Sequence, residues 1–279
     1  MSNTVVIDAE ELQKHMKDPR LKIFDIRGEW GTPPIAKPDD YFQGHIPNAC
    51  YLDWTRELID TDVALAEAPV PDDSRADASF ASLGIHADDL VVLYGDDDHM
   101  FASRLWWVMQ YFGLKNVKVL NGGWKNWCAC GYEVSIEVPA PETGSFRATR
   151  QEHLRCEIDA VIHRSTDTIL LDGRGAESHR GLPHDPRTGH IPGAVNVPFR
   201  SLVDTHSGLF KDDAAIKAIF AEAGIELGHP NIISSCGSGY AGSVVVVALR
   251  KIGVGAALYD GSFSEWQKDP ARPVAQILK

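Results

Sequence analysis

The feature that most constrains how this 279-residue chain can fold is that the chain is written twice. In the first half Ile23-Phe24-Asp25-Ile26-Arg27 precedes Gly44-His45-Ile46-Pro47-Asn48-Ala49, and in the second Leu170-Leu171-Asp172-Gly173-Arg174 precedes Gly189-His190-Ile191-Pro192-Gly193-Ala194. Further on, Leu90-Val91-Val92-Leu93-Tyr94 answers Ile232-Ile233-Ser234-Ser235, and each is followed by a turn and a longer segment ending in glycine, Gly113 or Gly253. Leu120-Asn121-Gly122 with Trp127 then answers Tyr259-Asp260-Gly261 with Trp266. Four landmarks in one order define two copies of a single domain.

Short β-rich runs alternating with helical patterns predict parallel strands joined by helical crossovers, and therefore two α/β domains. Val244-Val245-Val246-Val247 favours a strand by propensity. Its counterpart, Arg104-Leu105-Trp106-Trp107-Val108-Met109-Gln110, sits among better helix formers, so both segments are read as helices. Val138-Pro139-Ala140-Pro141-Glu142-Thr143-Gly144-Ser145 reads as a linker. The expected boundaries are 1–138 for the first domain, 139–153 for the linker and 154–279 for the second.

A net charge of -12 opposes a phosphate backbone or an anionic membrane surface, which argues against nucleic acid and membrane partners. No apolar run is long enough to span a bilayer, and Met1-Ser2-Asn3-Thr4 lacks the basic-then-apolar start of a secretory signal. Cys50, Cys128, Cys130, Cys156 and Cys236 are odd in number and show neither a disulfide framework nor a zinc-type Cys-x-x-Cys pair. A cytoplasmic setting without a metal is expected.

Cys236 falls where a buried strand ends and a helix begins, within Cys236-Gly237-Ser238-Gly239-Tyr240-Ala241-Gly242. Glycines there let the backbone curl so that N–H groups point inward, and the helix adds its positive end; both favour a thiolate or a persulfide anion. The bland alternative for any free cysteine is a small buried hydrophobe, and it is preferred for the other four. Gly237-x-Gly239-x-x-Gly242 also spells a dinucleotide fingerprint, but its counterpart in the first copy lacks the glycines and too little chain follows for a two-half nucleotide fold. A cysteine phosphatase would need an arginine where Gly242 stands.

With Asp172-x-Arg174, Gly189-His190-Ile191-Pro192-Gly193-Ala194-x-Asn196-Val197-Pro198, Arg104-x-Trp106-Trp107, Phe112-Gly113 and Leu120-Asn121-Gly122-Gly123 in order, nearly the whole chain resembles the two-domain rhodaneses. These include thiosulfate and 3-mercaptopyruvate sulfurtransferases. The resemblance implies two tandem rhodanese-like α/β domains, a catalytic second copy and a first copy without its cysteine, where Gly95-Asp96-Asp97-Asp98 stands. It implies a Cys236 persulfide filled by a small anionic sulfur donor and emptied by a thiol, a thioredoxin or cyanide, with no cofactor. The uncharged Gly237-Ser238 pair looks like the mercaptopyruvate branch, with Ser238 as a proton relay. The alternatives are thiosulfate as donor, or a sulfur-carrying module without turnover.

The family places two donor-holding arginines before Gly-His-Ile-Pro; here the second matches Arg187, the first falls on Ser178, and Arg180 is the nearest substitute. The bland reading of both is a solvated loop charge. Arg174 is expected to pair with a carboxylate, and His190 to fix a turn. The family also uses a histidine at the position of His45 in a relay toward the loop serine, although a structural histidine is equally open. Trp54, Trp106, Trp107 and Trp124 are read as packing residues.

Overall fold

The computed structural model describes residues 5–31, 34–63, 70–96, 98–140 and 142–277. Residues 1–4 of the chain start, Asp97 of the first-copy loop and Pro141 of the expected linker lie outside the described residues. The chain divides into two compact units, Met1–Gln151 with Thr205–Phe210, and Glu152–Asp204 with Lys211–Lys279.

The first unit runs β1 (Val6–Ile7), α1 (Ala9–His15), β2 (Leu21–Asp25), β3 (Gly28–Glu29), β4 (Ile35–Ala36), α2 (Pro38–Gln43), β5 (Ala49–Tyr51), α3 (Asp73–Ser82), β6 (Leu90–Tyr94), α4 (Met100–Tyr111), β7 (Val117–Leu120) and α5 (Gly123–Ala129). Its main sheet is parallel, in the order β1-β7-β6-β2-β5. All five residues of β6 are buried, as expected of a central parallel strand covered on both faces, and this is why its sequence is a continuous apolar run rather than an alternating one. The β3–β4 ribbon is antiparallel and has no equivalent among the strands of the second unit.

The second unit runs β8 (Arg155–Cys156), α6 (Ile158–Ile162), β9 (Ile169–Asp172), α7 (Ala176–Arg180), β10 (Val195–Asn196), α8 (Asp213–Glu222), β11 (Ile232–Ser235), α9 (Tyr240–Lys251), β12 (Ala257–Tyr259) and α10 (Ser262–Trp266). Its parallel sheet repeats the first, in the order β8-β12-β11-β9-β10. The register repeats too: Asp25 pairs with Tyr94 across β2–β6, and Asp172 with Ser235 across β9–β11. Val244–Val247 lie in α9, fully or almost fully buried, so burial against the sheet overrides β-branched propensity. The helices α4 and α9 stop at Gly113 and Gly253, which hold φ of +90° and +82°, a left-handed conformation that ends helices and suits glycine. α3 and α8 begin alike, with Asp72 and Asp212 accepting from the amides of Arg75 and Ala215.

The stretch expected as a linker belongs to the first unit. Gly144 N–H donates to the Ala81 carbonyl (2.8 Å), Phe146 N–H to Ile85 (2.9 Å), Thr149 N–H to Phe112 (2.9 Å) and Gln151 N–H to Tyr111 (2.7 Å). The Phe146 ring stands edge-on to Phe80 at 4.7 Å and is 9% exposed. Its prolines and polar residues suit an extended strap as well as they suit a free linker, since the bonding is through the backbone. Thr205–Phe210, from the second half of the sequence, also joins the first unit. There the Phe210 N–H donates to Asn121 Oδ1 (2.8 Å) and the Phe210 ring stacks on His99 at 4.5 Å.

If the strap is part of the first unit's core, Phe146→Ala lowers the unfolding free energy by about 3 kcal/mol, the usual cost of emptying a phenylalanine site. Urea unfolding followed by tryptophan fluorescence measures it; an unchanged midpoint would mean that the segment is a free linker.

Candidate active site

Cys236 lies immediately after β11 and four residues before α9 starts. Its side chain is buried at 2% exposure, yet its surroundings are those of a held sulfur rather than of a packed hydrophobe. The Gly239 N–H donates to Cys236 Sγ at 3.1 Å. Gly239 has φ +85° and caps α9, so a side chain at this position would strain the turn that aims the amide. Beyond it, the first-turn amides of α9 lack an intrahelical acceptor by helix geometry, and the helix dipole adds its positive end. Gly242 lets the helix close on the strand: a Cβ there would stand 3.0 Å from Leu258 Cδ1 and 3.2 Å from the Ser235 carbonyl carbon.

Ser262 completes the setting, and sequence reasoning missed it. It is fully buried with φ +52°, an uncommon conformation for a residue other than glycine. Its hydroxyl accepts from the Cys236 N–H (3.0 Å), donates to the Tyr259 carbonyl (2.8 Å) and stands 3.9 Å from Sγ. The Phe263 and Ser264 amides donate to the carbonyls of Cys236 (3.0 Å) and Gly237 (2.9 Å). The start of α10 therefore grips the backbone of Cys236. The only signal for it in the sequence is its place directly after the repeated Asp260-Gly261 landmark.

Below the loop, Arg174 forks onto Asp172, with Nε 3.0 Å from Oδ1 and 3.2 Å from Oδ2, as the sequence suggested. Its guanidinium also donates to the Gly189 carbonyl (2.7 Å) and lies 4.3 Å over the Phe263 ring. Its Cδ is 4.0 Å from where a Gly237 Cβ would be. His179 Nδ1 is 2.9 Å from Asp172 Oδ2. Burial by itself would raise the Asp172 pKa, but the hydrogen bonds from His179 and Arg174 and the Arg174 charge outweigh it and hold the carboxyl at about 2.

Ser238 is buried, at 5% exposure, and its hydroxyl makes no hydrogen bond among the described residues. Tyr240 is buried and Ala241 half-buried in the first turn of α9. Arg180, at the end of α7, is exposed and has no ion pair or side-chain hydrogen bond among the described residues. Arg187 is different. Its guanidinium donates to the carbonyls of Arg272 (2.9 Å), Gln267 (2.9 Å) and Asp269 (3.2 Å). Sequence reasoning expects Arg187 to grip a donor; in the structure three of its N–H donors tie down the chain after α10.

By sequence, His45 is open to both a relay and a structural role. It is fully buried, its Nδ1 faces the Tyr41 carbonyl (2.8 Å) and its Nε2 the Glu137 carbonyl (2.9 Å). Both ring nitrogens face carbonyls of its own unit, an arrangement that suits the structural role. His190 matches it: Nδ1 faces the His179 carbonyl (2.7 Å) and its backbone bridges Ala275. In the first unit Gly95 follows β6 where Cys236 follows β11, so no thiol occupies that place. His99 there has φ +61° and caps α4, and its Nε2 meets the Gly208 carbonyl at 2.7 Å.

The remaining cysteines are free. Burial pushes the thiol pKa of Cys156 up to about 11 and raises those of Cys50 and Cys128, which disfavours thiolate chemistry at all three. Among the described residues no His, Cys, Asp and Glu cluster is suited to a metal, and no helix is long and apolar enough to cross a membrane.

Because the Asp172 pKa is depressed from 3.8 to about 2 in the folded state, its contribution to stability is complete above the unfolded pKa and is lost as pH falls through the folded one. Over the range from about pH 5 to about pH 2 this amounts to about 2 kcal/mol. The stability difference between the wild type and Asp172→Asn, from urea unfolding at each pH, should shrink by that amount on acidification. A difference independent of pH would contradict the assigned ion pair.

Comparison with known proteins agrees with this geometry. SseB of Mycobacterium tuberculosis, whose name assigns it provisionally as a thiosulfate sulfurtransferase, is 34% identical over 98% of this chain and 97% of its own length. The 3-mercaptopyruvate sulfurtransferase of Escherichia coli is 31% identical over 99% of this chain and all of its own. The crystal structure of SseA from Escherichia coli, described with the 3-mercaptopyruvate sulfotransferases and the "Rhodanese" fold, superposes with a TM-score of 0.82 over 93% of this chain and 98% of that one, at 30% identity. The family described as Rhodanese-like domain matches residues 8–130 and again 157–269. Two such matches, on two sheets of one topology, make this chain a member of the rhodanese-like family with a domain of that family in each half.

Proposed function

We propose that the chain is a sulfurtransferase that takes sulfur from 3-mercaptopyruvate onto Cys236 and passes it to a thiol, a thioredoxin or cyanide. The observation that carries this reading is the strand-to-helix cysteine whose sulfur accepts the Gly239 amide (3.1 Å) beside an uncharged Gly237-Ser238 pair. The Cys236 thiolate attacks the donor sulfur. The carbon–sulfur bond breaks, its electron pair stays with the three-carbon fragment, and a proton taken up there gives pyruvate. Cys236 is left as a persulfide, and the acceptor thiolate attacks the outer sulfur and restores the Cys236 thiolate. The loop amides and the start of α9 stabilise the anion in both steps.

Ser238, buried and without a side-chain hydrogen bond among the described residues, is suited to take the proton from the donor thiol and return it to the leaving fragment. Arg180, exposed and without an ion pair among the described residues, is the guanidinium suited to the donor carboxylate. The backbone around Cys236 comes from Gly237, Gly239, Tyr240, Ala241 and Gly242, and no cofactor enters the cycle. Free thiols at Cys50, Cys128, Cys130 and Cys156 suit a reducing cytoplasm. A second reading, thiosulfate as donor, is favoured by the name of the SseB relative. Against it, a dianion gains little from Gly237-Ser238 in a protein of net charge -12.

Intact mass after incubation with 3-mercaptopyruvate should show one added sulfur on the wild type and none on Cys236→Ser; an adduct on the variant would overturn the assignment of the nucleophile. A carrier module without turnover would take up the sulfur and fail to release pyruvate repeatedly. In steady-state kinetics, kcat/KM should be higher for 3-mercaptopyruvate than for thiosulfate, and Gly237→Arg with Ser238→Lys should move the preference toward thiosulfate. The reverse ranking in the wild type would replace the donor.

Arg180→Ala should raise KM for 3-mercaptopyruvate about tenfold with kcat nearly unchanged, the loss of one charge-assisted bond made equally in ground and transition states. Arg187→Ala should lower the melting temperature and leave KM near wild type. The opposite pattern would return the carboxylate to Arg187.

A further inference from the structure

The two units answer one requirement in two ways. In each, the aspartate that ends a sheet strand is gripped by the arginine two residues on, and in each a third donor meets the same carboxylate oxygen. In the first unit that donor is the Tyr94 hydroxyl, 2.7 Å from Asp25 Oδ2, at the end of β6. In the second, the register partner of the aspartate is Ser235, whose hydroxyl donates instead to the Leu171 carbonyl at 2.9 Å. The vacant bond is made by His179 of α7, with Nδ1 at 2.9 Å from Asp172 Oδ2.

His179 is itself a substitution within the duplicated frame. Its counterpart is Tyr41 of α2: each stacks on the histidine of its Gly-His-Ile-Pro turn, at 3.9 Å for Tyr41 on His45 and 3.8 Å for His179 on His190. Each also offers its carbonyl to that histidine's Nδ1. Tyr41, however, sends its hydroxyl to the Ala49 carbonyl (2.9 Å) and not to the aspartate. The unit with a nucleophile therefore has a small residue directly before it and draws the aspartate's third donor from a neighbouring helix.

We infer that His179 is a positioning residue for the Cys236 loop: its Nδ1–H fixes Asp172, Asp172 fixes Arg174, and Arg174 supports the loop from below. His179 is 5% exposed and Asp172 2%. As a carboxylate, Asp172 only accepts, so the proton of the bond sits on His179 Nδ1. Arg174 brings its Cδ to 4.0 Å from where a Gly237 Cβ would stand and its guanidinium over the Phe263 ring, and the Phe263 amide holds the Cys236 carbonyl. Freeing one oxygen of Asp172 lets the guanidinium rotate, and the amides that face the sulfur lose their aim.

The inference takes Cys236 as the reactive thiol. Alkylation of Cys236 by iodoacetamide therefore reads it without any sulfur donor, and a failure here is distinct from a failure of the sulfurtransferase reading. Two variants separate the bond from the packing. His179→Tyr copies the ring stack of the first unit and removes the donor from Asp172; His179→Asn removes the stack and keeps an N–H for Asp172. Measured on folded protein well below its melting temperature, Cys236 alkylation and kcat should both fall about tenfold in His179→Tyr, with KM for 3-mercaptopyruvate within about twofold of wild type. His179→Asn should stay within about twofold in both rates, even where its melting temperature is the lower of the two. Wild-type rates in His179→Tyr, or equal losses in the two variants, would overturn the inference and leave His179 a packing residue. Should His179→Tyr not fold, His179→Phe, which stacks without a hydroxyl to satisfy, replaces it under the same criteria.

Discussion

The second unit depends on a buried ion pair. Asp172 ends an inner strand of the sheet, beside the central strand that delivers Cys236, and Arg174 returns to it in a fork of hydrogen bonds. Burying two charges is costly unless each finds a partner and every remaining hydrogen-bonding position is filled. Here His179 adds a donor to the carboxylate, and the Gly189 carbonyl accepts from the guanidinium. Four segments that are distant in sequence meet at this pair: the strand end, α7, the Gly-His-Ile-Pro turn and the base of the cysteine loop. A hydrophobic contact could join them, but it would not set the angle at which the loop leaves the sheet.

A sulfur anion needs donors that do not have to move when charge arrives. The Gly239 amide is locked by a left-handed turn that leads into a helix, and the start of α10 locks the backbone of Cys236 from the other side. Ser262 adopts a conformation unusual for its type at that grip, in keeping with strain gathering where a site must be held in one geometry. Catalysis by such a loop is electrostatic preorganisation, and rigidity beneath the loop is part of it.

The first unit shows what the same fold does without that chemistry. Its Asp25–Arg27 pair is more deeply buried and its sheet has the same order, but Gly95 stands in the place of the thiol and a tyrosine precedes it. The segment Thr205–Phe210 packs onto the loop there through His99 and Asn121. Function in this family of domains thus lies in a few loop residues on a shared frame.

The duplication, the α/β class, the order of strands and helices and the place of Cys236 were all legible in the sequence, because each rests on local patterns: apolar runs, glycine stops, and a cysteine among glycines after a strand. The valine run in α9 was legible only by comparison of the two copies, since its own propensity pointed the other way. What the residues of one segment could not show was where distant donors and acceptors meet. Arg187 and His45 looked available as charged or titratable side chains, and only the folded chain brings the carbonyls of Gln267, Asp269, Arg272 and Glu137 to them. The strap after residue 138 reads as a linker because backbone bonding leaves no trace in side-chain composition. His179 and Ser262 were invisible for the same reason: their roles depend on Asp172 and on the Cys236 amide, seven and 26 residues away. The sequence by itself determined which elements form and where Cys236 stands, among glycines between a strand and a helix, because those follow from neighbours along the chain. Which polar groups are spent on structure and which stay free for chemistry was decided only in the tertiary fold, where hydrogen-bonding partners are assigned through space.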